Sequence, residues 1–325
     1  SRRLPLRRRR APWAMSGDGE PLQVVRTGDE DNDYAFELVE ENLESILGKV
    51  PQGMKVAVVS VVGAFRTGKS FLLTFLLRYL KHGDALDAES TGWMHADGQF
   101  VREGNSNVGS AAAEEPTLRG FAWRGGQERQ TTGIWMWSEP FIRRVPSHPE
   151  DVAVLIMDTQ GMFDNETTMS LTACIFGLST LVSSYQIYNV DKRIQEDHLQ
   201  HLALFSEYGR IGLVSDDAEG KDAGGDSKDE RAAAQPAAEK PFQRLDFLVR
   251  DWQNFEDDAA PYAELHREMN TYLQEVIRPR GHSDLAYTRE QIGRCFGKIS
   301  CFLLPHPGPH VTKKNFDGDI EKIEP

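Results

Sequence analysis

The chain has 325 residues, of which 39% are hydrophobic and 27% charged, proportions that suit one large or two ordinary globular domains. Its net charge of −13 argues against a general nucleic-acid surface, which needs clustered Lys and Arg. Three irregularly spaced cysteines (Cys174, Cys295, Cys301) offer no disulfide framework and suit a reducing, cytosol-facing setting.

Residues 1–33 are expected to form a flexible N-terminal extension. It opens with six arginines in ten residues, has no apolar segment of signal-peptide type, and contains a candidate natural start at Met15. Phe36 to Ile46 carries apolar residues at helical spacing and is expected to be an amphipathic helix on the core. A strand, a glycine loop and a helix fill about 54–81. Residues 83–118, rich in Gly, Asn, Ser, Ala and Glu, are expected to be a loop with an insertion. Gly133 to Ser138 and Val152 to Met157 are expected strands. Thr167 to Val190 holds no charged residue, yet its Thr172, Ser179, Thr180, Ser183 and Gln186 are too polar for lipid. It is expected to be a buried helix running into a strand near Tyr185–Tyr188.

Glu196 to Leu213 is expected to be helical, with Leu199, Leu202, Leu204 and Phe205 as its apolar stripe. The segment 214–240 carries eight acids against four bases with little apolar content, and is expected to be a disordered insertion. A buried strand over Leu245–Val249, a helix over 261–278 and a buried strand over Ile299–Leu304 complete the order. Strands alternating with helices predict an α/β fold, a mostly parallel central sheet with helices on both faces, and the G-x-x-x-x-G-K-S at 63–70 makes it one of the P-loop NTPase kind. The domain is expected to run over 34–325.

Gly63-Ala64-Phe65-Arg66-Thr67-Gly68-Lys69-Ser70 is a complete G-x-x-x-x-G-K-S between an apolar β-branched run and a good helix former. A strand, a glycine loop and a helix start present backbone N–H groups to phosphates, here from Gly63 through Phe65, Arg66, Thr67, Gly68, Lys69 and Ser70 to Phe71. Lys69 would reach the β/γ-phosphates, and the Ser70 hydroxyl would ligate Mg²⁺. Asp158-Thr159-Gln160-Gly161 ends a second apolar run. Asp158 would hold a Mg²⁺-bound water there, and the Gly161 N–H would reach a γ-phosphate oxygen. Between the motifs, Thr131-Thr132-Gly133 lies in a polar stretch suited to a switch, and either threonine could close over the metal.

The N-K-x-D of small GTPases is absent; Asn189-Val190-Asp191-Lys192 has its letters in the wrong order. Arg250-Asp251 follows a strand instead. Asp251 could accept from guanine N1–H and N2–H₂, and Arg250 could stack on the base; the alternative is a surface ion pair. His198 and His201 stand three apart with no further zinc-spaced ligand, and are expected to be a packed pair.

Those motifs, with Trp123-Arg124-Gly125-Gly126, Asp158 to Asp164, Gln195 to Leu202, Leu304-Pro305-His306-Pro307-Gly308 and Asn315-Phe316-Asp317-Gly318, resemble the atlastins. These are dynamin-superfamily GTPases that fuse endoplasmic-reticulum tubules. The resemblance covers about 50–320 apart from the two insertions. It implies GTP as substrate, GDP as product, Mg²⁺, and a homodimer that depends on nucleotide. It also implies an endoplasmic-reticulum membrane location with the GTPase domain facing the cytosol, anchored by segments missing from this sequence. Arg66 would be an internal arginine finger, Thr131 the switch threonine, Arg250 and Asp251 the guanine readers, and Arg124 a residue near the dimer interface. The alternatives are an oligomerising scaffold like the guanylate-binding proteins, and a catalytically inactive nucleotide-binding module.

Overall fold

The computed structural model describes residues 19–27, 36–65, 67–82, 120–121, 131–144, 148–162, 168–218, 240–257, 259–279, 281–310 and 313. Arg66, Arg124 and the 83–118 insertion lie outside them, as do 219–239 of the second insertion.

One sheet organises everything else. Its parallel half is built from β3 (Lys55–Gly63), β6 (Asp151–Thr159), β7 (Tyr185–Asp191), β8 (Phe242–Trp252) and β9 (Phe296–Pro305), in the spatial order β6-β3-β7-β8-β9. β3 and β6, at the centre of the sheet, carry the long apolar runs expected of strands buried on both faces. On the other side of β6 lie β4 (Ile134–Trp137), β1 (Pro21–Thr27) and β2 (Phe36–Leu38), all antiparallel, and β5 (Phe141–Arg144) also pairs with β6.

Alternation along the strands distributes the core. Val58 of β3 with Leu155 and Met157 of β6 packs against Leu171 and Ile175 of α3 (Met169–Val182). Val61 and Ile156 point to the other face and meet Leu73 and Leu77 of α2 (Lys69–His82). A third cluster joins Phe205 of α4 (Glu196–Ala218) and Ile292 of α6 (Ser283–Cys295) to Tyr188, Phe247 and Phe296 of β7–β9. Met269 and Leu273 of α5 (Tyr262–Ile277) join the same cluster.

Helix α3 explains the uncharged but polar stretch. Its N-cap Thr168 accepts from the Leu171 N–H, and Ser183 Oγ at its end lies 2.6 Å from Ser60 Oγ of β3. Thr180 Oγ1 and the Gln186 side chain are hydrogen-bonded to one another. Thr180, Ser183 and Gln186, three of the polar groups expected to bar this stretch from lipid, are thus hydrogen-bonded where helix meets sheet, while the Thr172 and Ser179 hydroxyls are buried without a partner among the described residues. Among the described residues, no helix is long and apolar enough to cross a membrane.

The structure departs from expectation in several places. Residues 21–27 of the expected flexible extension are β1, with Val24 and Val25 buried. Phe36 to Ile46 splits into β2 and α1 (Glu40–Leu47), because the Val39 N–H donates to the Val24 carbonyl and pairing with β1 claims the first residues. Helix α4 runs five residues past Leu213 into the expected insertion, and Leu204 of its predicted stripe is exposed while Leu199, Leu202 and Phe205 are buried. Strand β5 and helix α6 were not foreseen.

Candidate functional site

The chain leaves β3 where neighbours diverge: β6 lies on one side, β7 on the other, and the following helix starts at Lys69. That is the switch point at which open α/β sheets bind ligands. The loop's first residues extend the pairing. The Met162 N–H donates to Gly63 O at 3.1 Å, and the Phe65 N–H to Met162 O at 2.7 Å. The Phe65 amide is thus engaged with Met162. Gly63 lies so close to β7 that a Cβ on it would stand 2.3 Å from the Asn189 carbonyl oxygen. Gly161 is equally constrained, since a Cβ there would meet Phe65 Cα at 2.6 Å.

Lys69 is buried, and its Nζ donates to Ala64 O at 3.0 Å, folding over the loop. Thr67 Oγ1 donates to the same carbonyl at 2.9 Å. Thr67, Gly68, Lys69, Ser70 and Phe71 lead into the first turn of α2, whose N–H groups have no intrahelical acceptor.

The predicted metal-binding side chains converge. Ser70 Oγ donates to Asp158 Oδ2 at 2.6 Å, and Thr131 Oγ1 lies 3.4 Å from Ser70 Oγ. Asp158 Oδ1 is buried with no hydrogen-bond partner. Burial raises the Asp158 pKa to about 6, opposed by the Ser70 hydrogen bond and the Lys69 ammonium. A carboxylate ionised at neutral pH with one bare oxygen beside two hydroxyls fits a divalent cation.

Of the two candidate threonines, it is Thr131 whose hydroxyl reaches Ser70. The neighbouring Thr132 carbonyl accepts from Gln23 Nε2 at 3.0 Å and Trp135 Nε1 at 2.8 Å. Gly133 has φ +70°, and a Cβ there would lie 2.0 Å from Val25 O, so only glycine fits. Gln160 then fastens this segment to the Asp158 motif: its Oε1 accepts from the Gly133 N–H at 2.9 Å, and its own N–H donates to Gly133 O at 2.8 Å. The sequence offered no role for Gln160, Gln23 or Trp135. Only membership in the D-x-x-G motif could have drawn attention to the first.

At the ends of β7 and β8, Arg250 and Asp251 are half-buried. Arg250 Nε donates to Asn189 Oδ1 at 2.8 Å, and a Cβ on Gly68 would lie 3.8 Å from Arg250 Nη1. Arg250 therefore borders the phosphate loop. Asp251 has φ +58°, in the left-handed region, where Asp is tolerated. Its pKa is raised, first by burial and further by Asp191, with Arg250 and His306 acting the other way. Asn189 itself is buried, a link that the scrambled N-K-x-D letters concealed.

His201 stacks on Phe205 and His198 lies edge-on to Tyr188, both with pKa lowered by burial, as a packed pair should be. Among the described residues no cluster of His, Cys, Asp and Glu could by itself hold a metal.

A family model described as guanylate-binding protein, N-terminal domain, matches residues 33–325. The chain is 41% identical to Atlastin-1 of Bos taurus over 310 residues, which cover 94% of this chain and 46% of that protein. It is 39% identical to Atlastin of Drosophila melanogaster over 309 residues, 94% of this chain and 49% of that one. Against Atlastin-2 of Homo sapiens it is 40% identical over 306 residues, 94% and 44% respectively. The chain thus spans about half the length of these relatives.

Proposed function

The chain belongs to the guanylate-binding protein N-terminal domain family and has atlastins among its relatives, and from that premise we propose that it is a Mg²⁺-dependent GTPase. The observation that carries this reading is the meeting of Ser70, Thr131 and Asp158 at the mouth of the phosphate loop.

Ser70 and Thr131 would hold Mg²⁺ through their hydroxyls, and Asp158 through a bound water. When bound, the ion neutralises charge on the β- and γ-phosphates. Lys69 leaves the Ala64 carbonyl for phosphate oxygens, and the amides at the start of α2 orient them. Gly161, beside Phe65, brings its N–H to the γ-phosphate. Asp251 accepts from the two guanine donors, whereas adenine N1 is an acceptor that a carboxylate repels. Arg250 offers a flat cation to the base. Arg66 supplies charge to the transition state from within the loop.

The atlastin relatives favour coupling of nucleotide state to homodimerisation, and of dimerisation to tethering and homotypic fusion of endoplasmic-reticulum membranes. A guanylate-binding-protein-like scaffold is less favoured. The atlastin relatives also favour an endoplasmic-reticulum membrane location with the domain facing the cytosol. Competition of GTP and ATP against a fluorescent GTP analogue tests the nucleotide. Preference for GTP supports the reading, and equal competition refutes it. Light scattering tests the partner: monomer with GDP and dimer with a GTP analogue are expected, and a dimer that persists without nucleotide overturns the coupling.

A further inference from the structure

We infer that Asn189 is a positioning residue that ties guanine recognition to the shape of the phosphate loop, an inference that rests on the guanine reading above. Asn189 ends β7 and is 1% exposed. Its Nδ2 donates to Thr67 O at 2.9 Å and lies 3.3 Å from Thr67 Oγ1, while its Oδ1 accepts from Arg250 Nε at 2.8 Å. Thr67 Oγ1 and Lys69 Nζ both donate to Ala64 O, at 2.9 and 3.0 Å. One line of hydrogen bonds therefore runs from the base-reading arginine, through Asn189, to the phosphate-reading lysine.

The line is directional. Turning the amide over would set its oxygen against the Thr67 carbonyl and its NH₂ against a guanidinium that only donates. A residue here must donate on one side and accept on the other. Aspartate can only accept when ionised, and an apolar residue can do neither. The backbone is fixed as well, because the Gly63 position abuts the Asn189 carbonyl with no room for a Cβ. Guanine that holds Arg250 in place also holds Asn189, and through it the Thr67 carbonyl that shapes the loop. A base that leaves Arg250 unengaged loosens both.

The test measures Kd for GDP and ADP, with melting temperature, on wild type, Asn189→Ala, Asn189→Asp, Arg250→Ala and the Asn189→Ala/Arg250→Ala double variant. Wild type should prefer GDP; if it does not, the guanine reading itself fails. Asn189→Ala should reduce the GDP-over-ADP ratio about tenfold, the scale of one hydrogen bond to a charged group. A purely structural role would weaken both nucleotides alike and leave the ratio unchanged. The double variant should have no lower ratio than Arg250→Ala alone. Asn189→Asp keeps the acceptor for Arg250 and loses the donor to Thr67, so both affinities should fall while the ratio stays within about threefold. This variant also carries the test if the alanine variant does not fold. A ratio within twofold of wild type in Asn189→Ala, a ratio collapsed in Asn189→Asp, or additive losses in the double variant would each overturn the inference.

Discussion

Replacing Asp158 with asparagine should abolish hydrolysis yet stabilise the metal-free, nucleotide-free protein at neutral pH. The carboxyl is 1% exposed, and its pKa stands at about 6 against 3.8 for an unperturbed group, with burial as the main cause. As pH rises through the interval between those values, the unfolded chain releases this proton while the folded chain keeps it. Stability therefore falls across the interval, by about 3 kcal/mol in all for two units. Above pH 6 the ionised, half-partnered carboxylate carries that full cost. Asparagine never ionises and retains an oxygen for the Ser70 hydroxyl, but its buried NH₂ needs an acceptor, which takes back about 1–2 kcal/mol. The net gain at pH 7.5 is about 1–2 kcal/mol, a rise of a few degrees in Tm. Melts in EDTA at pH 5 and pH 7.5 should show the advantage growing by about 1 kcal/mol with pH. Phosphate release with Mg²⁺ should fall at least about a hundredfold, since a metal-holding group is gone. An asparagine variant that is less stable than wild type at pH 7.5, or whose difference does not change with pH, would refute this account of the buried carboxylate.

Asp251→Asn should lower GTP affinity at least about tenfold and let xanthosine triphosphate bind, read by competition; asparagine also tolerates φ +58°, so the backbone is preserved. Gln160→Ala leaves the Gly133 N–H buried without its acceptor, at about 1–3 kcal/mol, and should slow hydrolysis about 10- to 100-fold. Gln160→Glu keeps an acceptor and should retain more of the rate; equal loss in both would mean that the latch to Gly133 is not what matters. Arg66→Gln should bind GTP nearly normally and hydrolyse it at least about a hundredfold more slowly. Turnover above half of wild type would leave Arg66 a spectator.

What the sequence disclosed and what it concealed have separate physical causes. β3 and β6 are buried on both faces, so they appear as unbroken apolar runs, and the loop and carboxylate at their ends are located by the strands themselves. β1 alternates weakly and draws its stability from pairing with β4, far along the chain, so its sequence looks like an extension, and the three residues of β2, which pair with β1, sit inside a run with helical spacing. The side chains that fix the site, Asn189 on Thr67 and Arg250, Gln160 on Gly133, and Gln23 on Thr132, act across sequence separations that no local pattern registers. The resemblance already pointed to Thr131 over Thr132, whereas the 3.4 Å approach of its hydroxyl to Ser70 Oγ exists only in the folded chain.

The most direct test of the central claim is phosphate release by the purified chain given GTP or ATP, in Mg²⁺ or in EDTA. The account predicts release from GTP with Mg²⁺, at least about tenfold slower release from ATP, and none in EDTA. Equal rates with both nucleotides, or GTP that binds and is never hydrolysed, would contradict it.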